Sequence, residues 1–193
     1  MATRTRAEPI ADDGSPLALF CTTPGGATLD ELSRERPLFL VLLRHAGCTF
    51  AREAVADLRE AESPIEAAGA RLVVVHMGEE GPAMAKASGR YDLGGVSQVA
   101  DPHRRLYRWL GLPRGRLSQL FGWKELARGA KACLLEGHGV GRLQGDGFQL
   151  GGLALVSGGR VVWRRPLSSA SERPDYAAEA NRAISELPTE QPA

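Results

Sequence analysis

Residues Pro37-Leu-Phe-Leu-Val-Leu-Leu-Arg-His-Ala-Gly-Cys-Thr-Phe-Ala-Arg-Glu53 decide how the chain folds. Pro37 to Leu43 is a continuous apolar run, the signature of a strand buried on both faces. The pattern then changes period. Phe50, Ala54, Leu58 and Ala61 recur at helical spacing, while Arg52, Glu53, Asp57, Arg59 and Glu60 supply much of a polar face. A buried strand therefore passes almost at once into an amphipathic helix, and the junction falls on Cys48.

Outward from this junction, strand and helix signals alternate. Arg71–Met77 reads as a second buried strand, followed by a helix over 79–88. Asp101-Pro102 predicts another helix through Leu110, with proline at its first position. Before the junction, Leu17–Cys21 is a short strand candidate, and Thr28 to Glu31 has the spacing of a capping box. Beyond it come a predicted helix around 116–129 and a glycine-rich stretch. A hairpin of Leu153–Val156 and Arg160–Trp163 then turns at Gly158-Gly159, and Pro174–Leu187 reads as an amphipathic terminal helix. This order predicts an α/β sandwich around a central mixed β-sheet flanked by helices, with an inserted helical and glycine-rich segment before the final hairpin. It is the thioredoxin-like plan. Residues 1–16 and 188–193 are expected to be solvated tails, leaving 17–187 as a single domain.

The 193 residues are 43% hydrophobic and 24% charged, with a formal net charge of +1. That balance provides a substantial core and excludes both an acidic tail and a nucleic-acid-binding polycation. Of the 24 basic residues only Lys86, Lys124 and Lys131 are lysines. Residues 1–16 have no apolar run of the secretory kind, and the longest apolar stretch, Leu38–Leu43, is too short to span a bilayer. A soluble protein of the reducing cytoplasm is the expectation, with no nucleic-acid or membrane partner. Three cysteines do not make a disulfide-stapled scaffold, so the question is whether one of them is a working thiol.

Cys48 is the candidate. At a helix start, unsatisfied backbone N–H groups and the positive end of the helix dipole favour thiolate over thiol. Arg44, His45 and Arg52 add positive charge around it. Gly47 removes a side chain that would crowd a substrate, and Thr49 follows at the helix start. The alternative is a small buried hydrophobe, as most reduced cysteines are. Position 51, where a dithiol enzyme carries its resolving cysteine, holds alanine. Either one thiol works alone, or Cys133 or Cys21 resolves, or Ala51 replaces a former cysteine; both of those cysteines also read as packing residues.

Three blocks resemble a known family. Phe39 to Glu53 is similar to the active-site block of the peroxiredoxin-like AhpC/TSA branch that includes prostamide/prostaglandin F synthase and the SelL-type redox proteins. That block runs Leu-Arg-His-x-Gly-Cys-x-x-Cys-Arg-Glu. Asp101 to Leu112 resembles the family's "Asp-Pro … Leu-Tyr … Gly-Leu" helix, and Gly145 to Gly152 its Gly-Asp-x-x-Gln-x-Gly-Gly element. The resemblance implies a thioredoxin fold in which the Cys48 thiolate attacks a peroxide or a disulfide. Arg44 and His45 would shape its electrostatics, and Gln149, Gly151 and Gly152 would belong to the opposite wall of the pocket. It also implies a thiol reductant such as thioredoxin or glutathione. The chain departs from the pattern at Ala51. It carries Val41 and His45 where true peroxiredoxins have the proline and threonine of Pro-x-x-x-Thr-x-x-Cys, and Leu150 to Leu153 contains no proline.

Other signals carry less. His45-x-x-Cys48 has no second ligand pair, and His76, His103 and His138 are scattered, so no metal or cofactor is expected. Gly137 to Gly141 lacks the preceding strand and full pattern of a phosphate loop. Tyr107, Trp109, Phe121, Trp123 and Trp163 read as core rather than as a substrate pocket, and the arginines of 114–165 as a solvated surface. The runner-up function is a thioredoxin-fold binding module whose redox chemistry has lapsed. A Cys-to-Ala variant at 51 of a CxxC-type protein is the third reading.

Overall fold

The apolar run after Pro37 becomes β1 (Leu38–Leu42), every residue of which is buried. This is seen in a computed structural model that describes residues 21–43, 49–78, 96–115, 146, 148–169 and 171–187. α1 (Leu29–Glu35) precedes β1 and α2 (Thr49–Ala67) follows it. Then come β2 (Arg71–His76), β3 (Ser97–Ala100), α3 (Arg105–Trp109), β4 (Gly152–Ser157), β5 (Arg160–Pro166) and α4 (Tyr176–Ser185).

The five strands lie in the order β3-β2-β1-β4-β5. β1, β2 and β3 are mutually parallel; β4 runs antiparallel to them, and β5, antiparallel to β4, runs in the direction of the first three. This mixed sheet with helices on both faces is the thioredoxin-like arrangement expected from the element order. Strand alternation divides the core into two layers. Leu38, Leu40, Leu42, Val73, Val75, Ala154 and Val156 face α1 and α3. Phe39, Val41, Leu72, Val74, Leu153 and Leu155 face α2 and α4.

Local chemistry fixes several boundaries. Thr28 caps α1 in a complete capping box with Glu31. Gly158 and Gly159, at φ +56° and +75°, form the β4–β5 turn, a backbone that side chains resist. Asp175 caps α4 through the Ala178 amide.

Three expectations need correction. The helix after Asp101 begins at Arg105, with Arg104 in the left-handed region at φ +55°, so Pro102 is not its first residue. Asp101 still caps it, because its two carboxylate oxygens accept from the Arg105 and Leu106 amides at 2.8 Å each. β3 was not expected, since Ser97-Gln98-Val99-Ala100 buries only Val99. Glu53, read as part of a polar face, is buried. The Leu17–Cys21 strand lies outside the described residues except for Cys21, which belongs to no strand; Thr22 bridges Thr28 instead. The helices expected at 79–88 and 116–129, with most of the glycine-rich segment, also lie outside the described residues.

Candidate active site

The C-terminal end of β1 and the N-terminal end of α2 frame the expected site. Leu43 donates its amide to the Val75 carbonyl at 2.9 Å, extending the β1–β2 ladder one residue past the strand. The Tyr107 hydroxyl donates to the Leu43 carbonyl and also lies 3.3 Å from the Val75 carbonyl. Burial, with the Asp101 charge adding to it, pushes the Tyr107 phenol well above its ordinary range, so it stays a protonated donor. Tyr107 is thus a core residue, and Trp109 and Trp163 pack against the two core layers.

On the other side of the connection, α2 is 19 residues long and starts at Thr49. Thr49, Ala51 and Arg52 lie in its first turn. Arg44, His45, Gly47, Cys48 and Cys133 lie outside the described residues. The start of α2 is tied down by Glu53, whose carboxylate meets Arg173 at 3.0 Å, while the same guanidinium reaches Asp57 at 2.6 Å. This pairing is what permits a buried carboxylate in an α2 position that the sequence marks as polar. Below it, burial and then the Asp57 and Glu53 charges push the Tyr176 phenol upward.

The Gln149–Gly152 element stands beside the same strand end. Gly152 pairs with Leu42, and a Cβ on Gly151 would lie 2.5 Å from the Leu42 carbonyl oxygen. Only glycine permits that approach. Gln149 is buried, and its side-chain amide donates to the Pro113 and Leu150 carbonyls at 3.1 Å each, with the Leu112 carbonyl at 3.3 Å. It therefore clamps the element onto the chain that follows α3. Asp146 ties the same element down by ion pairs to Arg104 and Arg114. Burial alone would raise its carboxyl, but the Phe148 amide and the two guanidinium groups hold it below the usual range. Arg114 stacks over Phe148, Arg164 donates to the Leu110 carbonyl at 2.7 Å, and Arg165 pairs with Glu172. Arg114 and Arg164 are exposed, as the sequence reading expects of this span, while their contacts also tie down neighbouring chain.

His76, read as a scattered histidine, ends β2 one residue beyond the Val75 that pairs with Leu42. Its Nδ1 accepts the Gly78 amide at 3.2 Å, and burial pulls its pKa down to about 4. The ring is therefore neutral at pH 7. No sequence signal distinguished it from His103 or His138. Among the described residues, no group of three or more His, Cys, Asp or Glu is placed to hold a metal. Nor is any of their helices long and apolar enough to cross a membrane.

A family model described as AhpC/TSA antioxidant enzyme matches residues 57–166, more than half of the chain. The chain belongs to that family. Solved structures agree on the fold. Peroxiredoxin 6 of Arenicola marina, in a cysteine-to-serine form, superposes with a TM-score of 0.55 at 12% identity, covering 96% of this chain and 73% of its own. The bacterioferritin comigratory protein of Xanthomonas campestris gives 0.53 at 15%, covering 89% and 94%. Peroxidoxin BcpB from Mycobacterium tuberculosis gives 0.52 at 17%, covering 88% and 92%. Among curated proteins none matches significantly. Membership in a family of thioredoxin-fold redox proteins supports a thiol oxidoreductase in general terms, with peroxide or disulfide substrates and thiol reductants as the class of partners.

Proposed function

We propose that the chain is a thiol-dependent oxidoreductase in which the Cys48 thiolate reduces a peroxide or a disulfide. The observation that carries the reading is the strand-to-helix passage: in an AhpC/TSA chain, the residue immediately before a 19-residue helix is a cysteine. Backbone N–H groups at such a helix start stabilise the thiolate and the oxyanion that develops on the substrate. With a hydroperoxide, the sulfur attacks one oxygen of the O–O bond. An S–O bond forms, the O–O bond breaks, and the alkoxide leaves after taking a proton. Sulfur is oxidised by two electrons to the sulfenic acid as the peroxide is reduced to alcohol. A thiol then displaces water to give a mixed disulfide, and a second thiol releases Cys48. Thioredoxin, glutathione or another cytoplasmic thiol supplies those electrons, with Cys133 as an internal candidate. The Leu-Arg-His-x-Gly-Cys block favours the SelL-like branch, and Arg44, His45, Gly47, Thr49 and Arg52 are the residues proposed to surround the thiol.

The test is one equivalent of hydrogen peroxide on the folded protein, followed by mass spectrometry of the Cys48 peptide. One added oxygen or one new disulfide at Cys48 is expected, and an unmodified Cys48 refutes the mechanism. Ala51 favours a second reading, a binding module that has lost its redox chemistry. In that case Cys48 alkylates with a midpoint at or above the model thiol value of about 8.5, whereas catalysis needs a lower one. A third reading makes Ala51 a substituted cysteine. Gain of thioredoxin-dependent turnover in Ala51→Cys would support it, and no gain counts against it.

A further inference from the structure

A groove of about 410 Å³ lies between α2 and the start of α4, and none of its lining residues has a part in the proposed chemistry. Asp57, Glu60, Ala61 and Pro64 form its α2 wall. They recur at the spacing of one helix face, acidic at one end and apolar at the other. Opposite stand Arg173, Asp175 and Tyr176. The carboxylates outnumber the guanidinium, which is already turned onto Asp57, at 2.6 and 2.7 Å, and onto Glu53 at 3.0 Å. The groove is therefore acidic.

An acidic surface alone attracts any counter-ion, but two further acceptors make this one more selective. Tyr176 is 4% exposed, and among the described residues its hydroxyl makes no hydrogen bond. The charges of Asp57 and Glu53 reach the phenol, so it points toward the carboxylates of the α2 wall, and burial keeps it protonated. A hydroxyl in that position is costly until a partner takes up its lone pairs. Pro64 lies inside α2 and has no amide, so the Glu60 carbonyl loses the donor that position 64 ordinarily supplies. Among the described residues no group of three or more His, Cys, Asp or Glu is placed to hold a metal. Acceptors spread in this way suit a cation that brings its own N–H donors, and Ala61 and Pro64 continue the wall as apolar surface for a short hydrocarbon stem. The positive end of α4 is answered locally by Asp175, whose carboxylate accepts the Ala178 amide at 3.0 Å.

We infer that the groove binds a small aliphatic amine, with its ammonium among the Glu60 carboxylate, the Glu60 carbonyl and the Tyr176 hydroxyl, and its alkyl chain over Ala61 and Pro64. The volume is of the size that free small molecules occupy. The inference is independent of the role of Cys48.

The probe is the aliphatic diamine cadaverine, titrated at low ionic strength into the isotope-labelled parent, Tyr176→Phe, Glu60→Gln and Glu186→Gln, with amide NMR shifts as the readout. The parent is expected to saturate with a Kd of about 0.1–1 mM, its shifts centred on Asp57, Glu60, Ala61, Tyr176 and Ala177. Tyr176→Phe keeps the ring and should weaken binding roughly fivefold, and Glu60→Gln should do so by at least as much. Glu186 is exposed at the other end of α4, so Glu186→Gln loses the same charge and should keep the parent affinity. If Tyr176→Phe does not stay folded, the exposed Glu60 decides. Absence of saturable shifts, shifts centred on other residues, or parent-like binding in Glu60→Gln overturns the inference. Equal losses in Glu60→Gln and Glu186→Gln would show a diffuse counter-ion effect and overturn it too. So would equal binding of pentanol, which lacks the cation, or tighter binding of an end-blocked lysine peptide, which would make the groove a contact for a protein partner.

Discussion

The buried ring of His76 ties the stability of the fold to pH. Only 5% of the residue is exposed, its Nδ1 accepts the Gly78 amide at 3.2 Å, and burial brings its pKa to about 4 from 6.5. Above pH 6.5 the ring is neutral in the folded and the open chain alike, and the proton contributes nothing. Below it, the open chain takes up a proton that the folded chain refuses, so stability falls by about 1.4 kcal/mol per pH unit until the folded ring also titrates. The loss grows to about 3 kcal/mol near pH 4. His76→Asn keeps an acceptor for the Gly78 amide and removes the titration. Urea unfolding of both proteins at pH 7.5 and 4.5, followed by tryptophan fluorescence, isolates the effect, since the carboxylates that titrate in this range are common to both. The parent should lose roughly 2–3 kcal/mol more than the variant over that interval. Equal losses would mean that His76 takes up its proton as readily folded as unfolded, and the burial argument would be refuted.

Two further outcomes follow from the same edge of the sheet. Gly151→Ala places a methyl 2.5 Å from the Leu42 carbonyl oxygen, a backbone atom that cannot step aside, and should cost about 2–3 kcal/mol in urea unfolding. Gly152→Ala meets chiefly the movable methyls of Leu112, with the Arg165 carbonyl oxygen further off at 3.3 Å, and should cost about 1 kcal/mol, so the reverse ranking would contradict the geometry. Arg173→Met removes the guanidinium from Glu53, whose side chain is 4% exposed, and from Asp57. Because the arginine itself is 43% exposed, the expected loss is about 2 kcal/mol, below the range for a fully buried pair. Adding Glu53→Gln should recover part of it, and a fully additive double variant would show that the two groups are not coupled.

What could be read from the sequence was what neighbouring residues decide among themselves. The run from Leu38 to Leu42 has a single reading, because unbroken apolar residues cannot be half-exposed. Thr28 with Glu31 and Gly158 with Gly159 determine their own turns. β3 escaped notice because a strand at the sheet edge needs little burial; its pairing with β2 defines it, and that partner is distant in sequence. Asp101-Pro102 misled in a more instructive way. The carboxylate caps the helix as the local pattern requires, but it reaches two amides at Arg105 and Leu106, so the helix starts three residues later than proline at N1 would place it. Glu53 was unreadable alone: its burial depends on Arg173, 120 residues away. At the site, Gln149 to Gly152 stood out as a motif. That Gln149 turns its amide onto the Pro113 and Leu150 carbonyls depends on a contact no local pattern encodes.

Ala51 turns this geometry into a constraint on the second half of the proposed cycle. A resolving sulfur in the first turn of α2 is replaced by a methyl, so the electrons for Cys48 must come from elsewhere. Cys21 packs with the core layer that faces α1 and α3, across the sheet from α2. Its carbonyl accepts the Leu29 amide at 3.1 Å, which holds it to the start of α1. α1 in turn is fastened to the β4–β5 turn: Gly158 donates to the Ser33 carbonyl at 2.8 Å and Gly159 to the Ser33 hydroxyl at 2.9 Å. Cys21, Cys133 and an external thiol are then the sources to be distinguished, and they differ in kinetics. If an external thiol does the work, recovery of Cys48 from the sulfenic acid rises with thiol concentration, and Cys133→Ser leaves it unchanged.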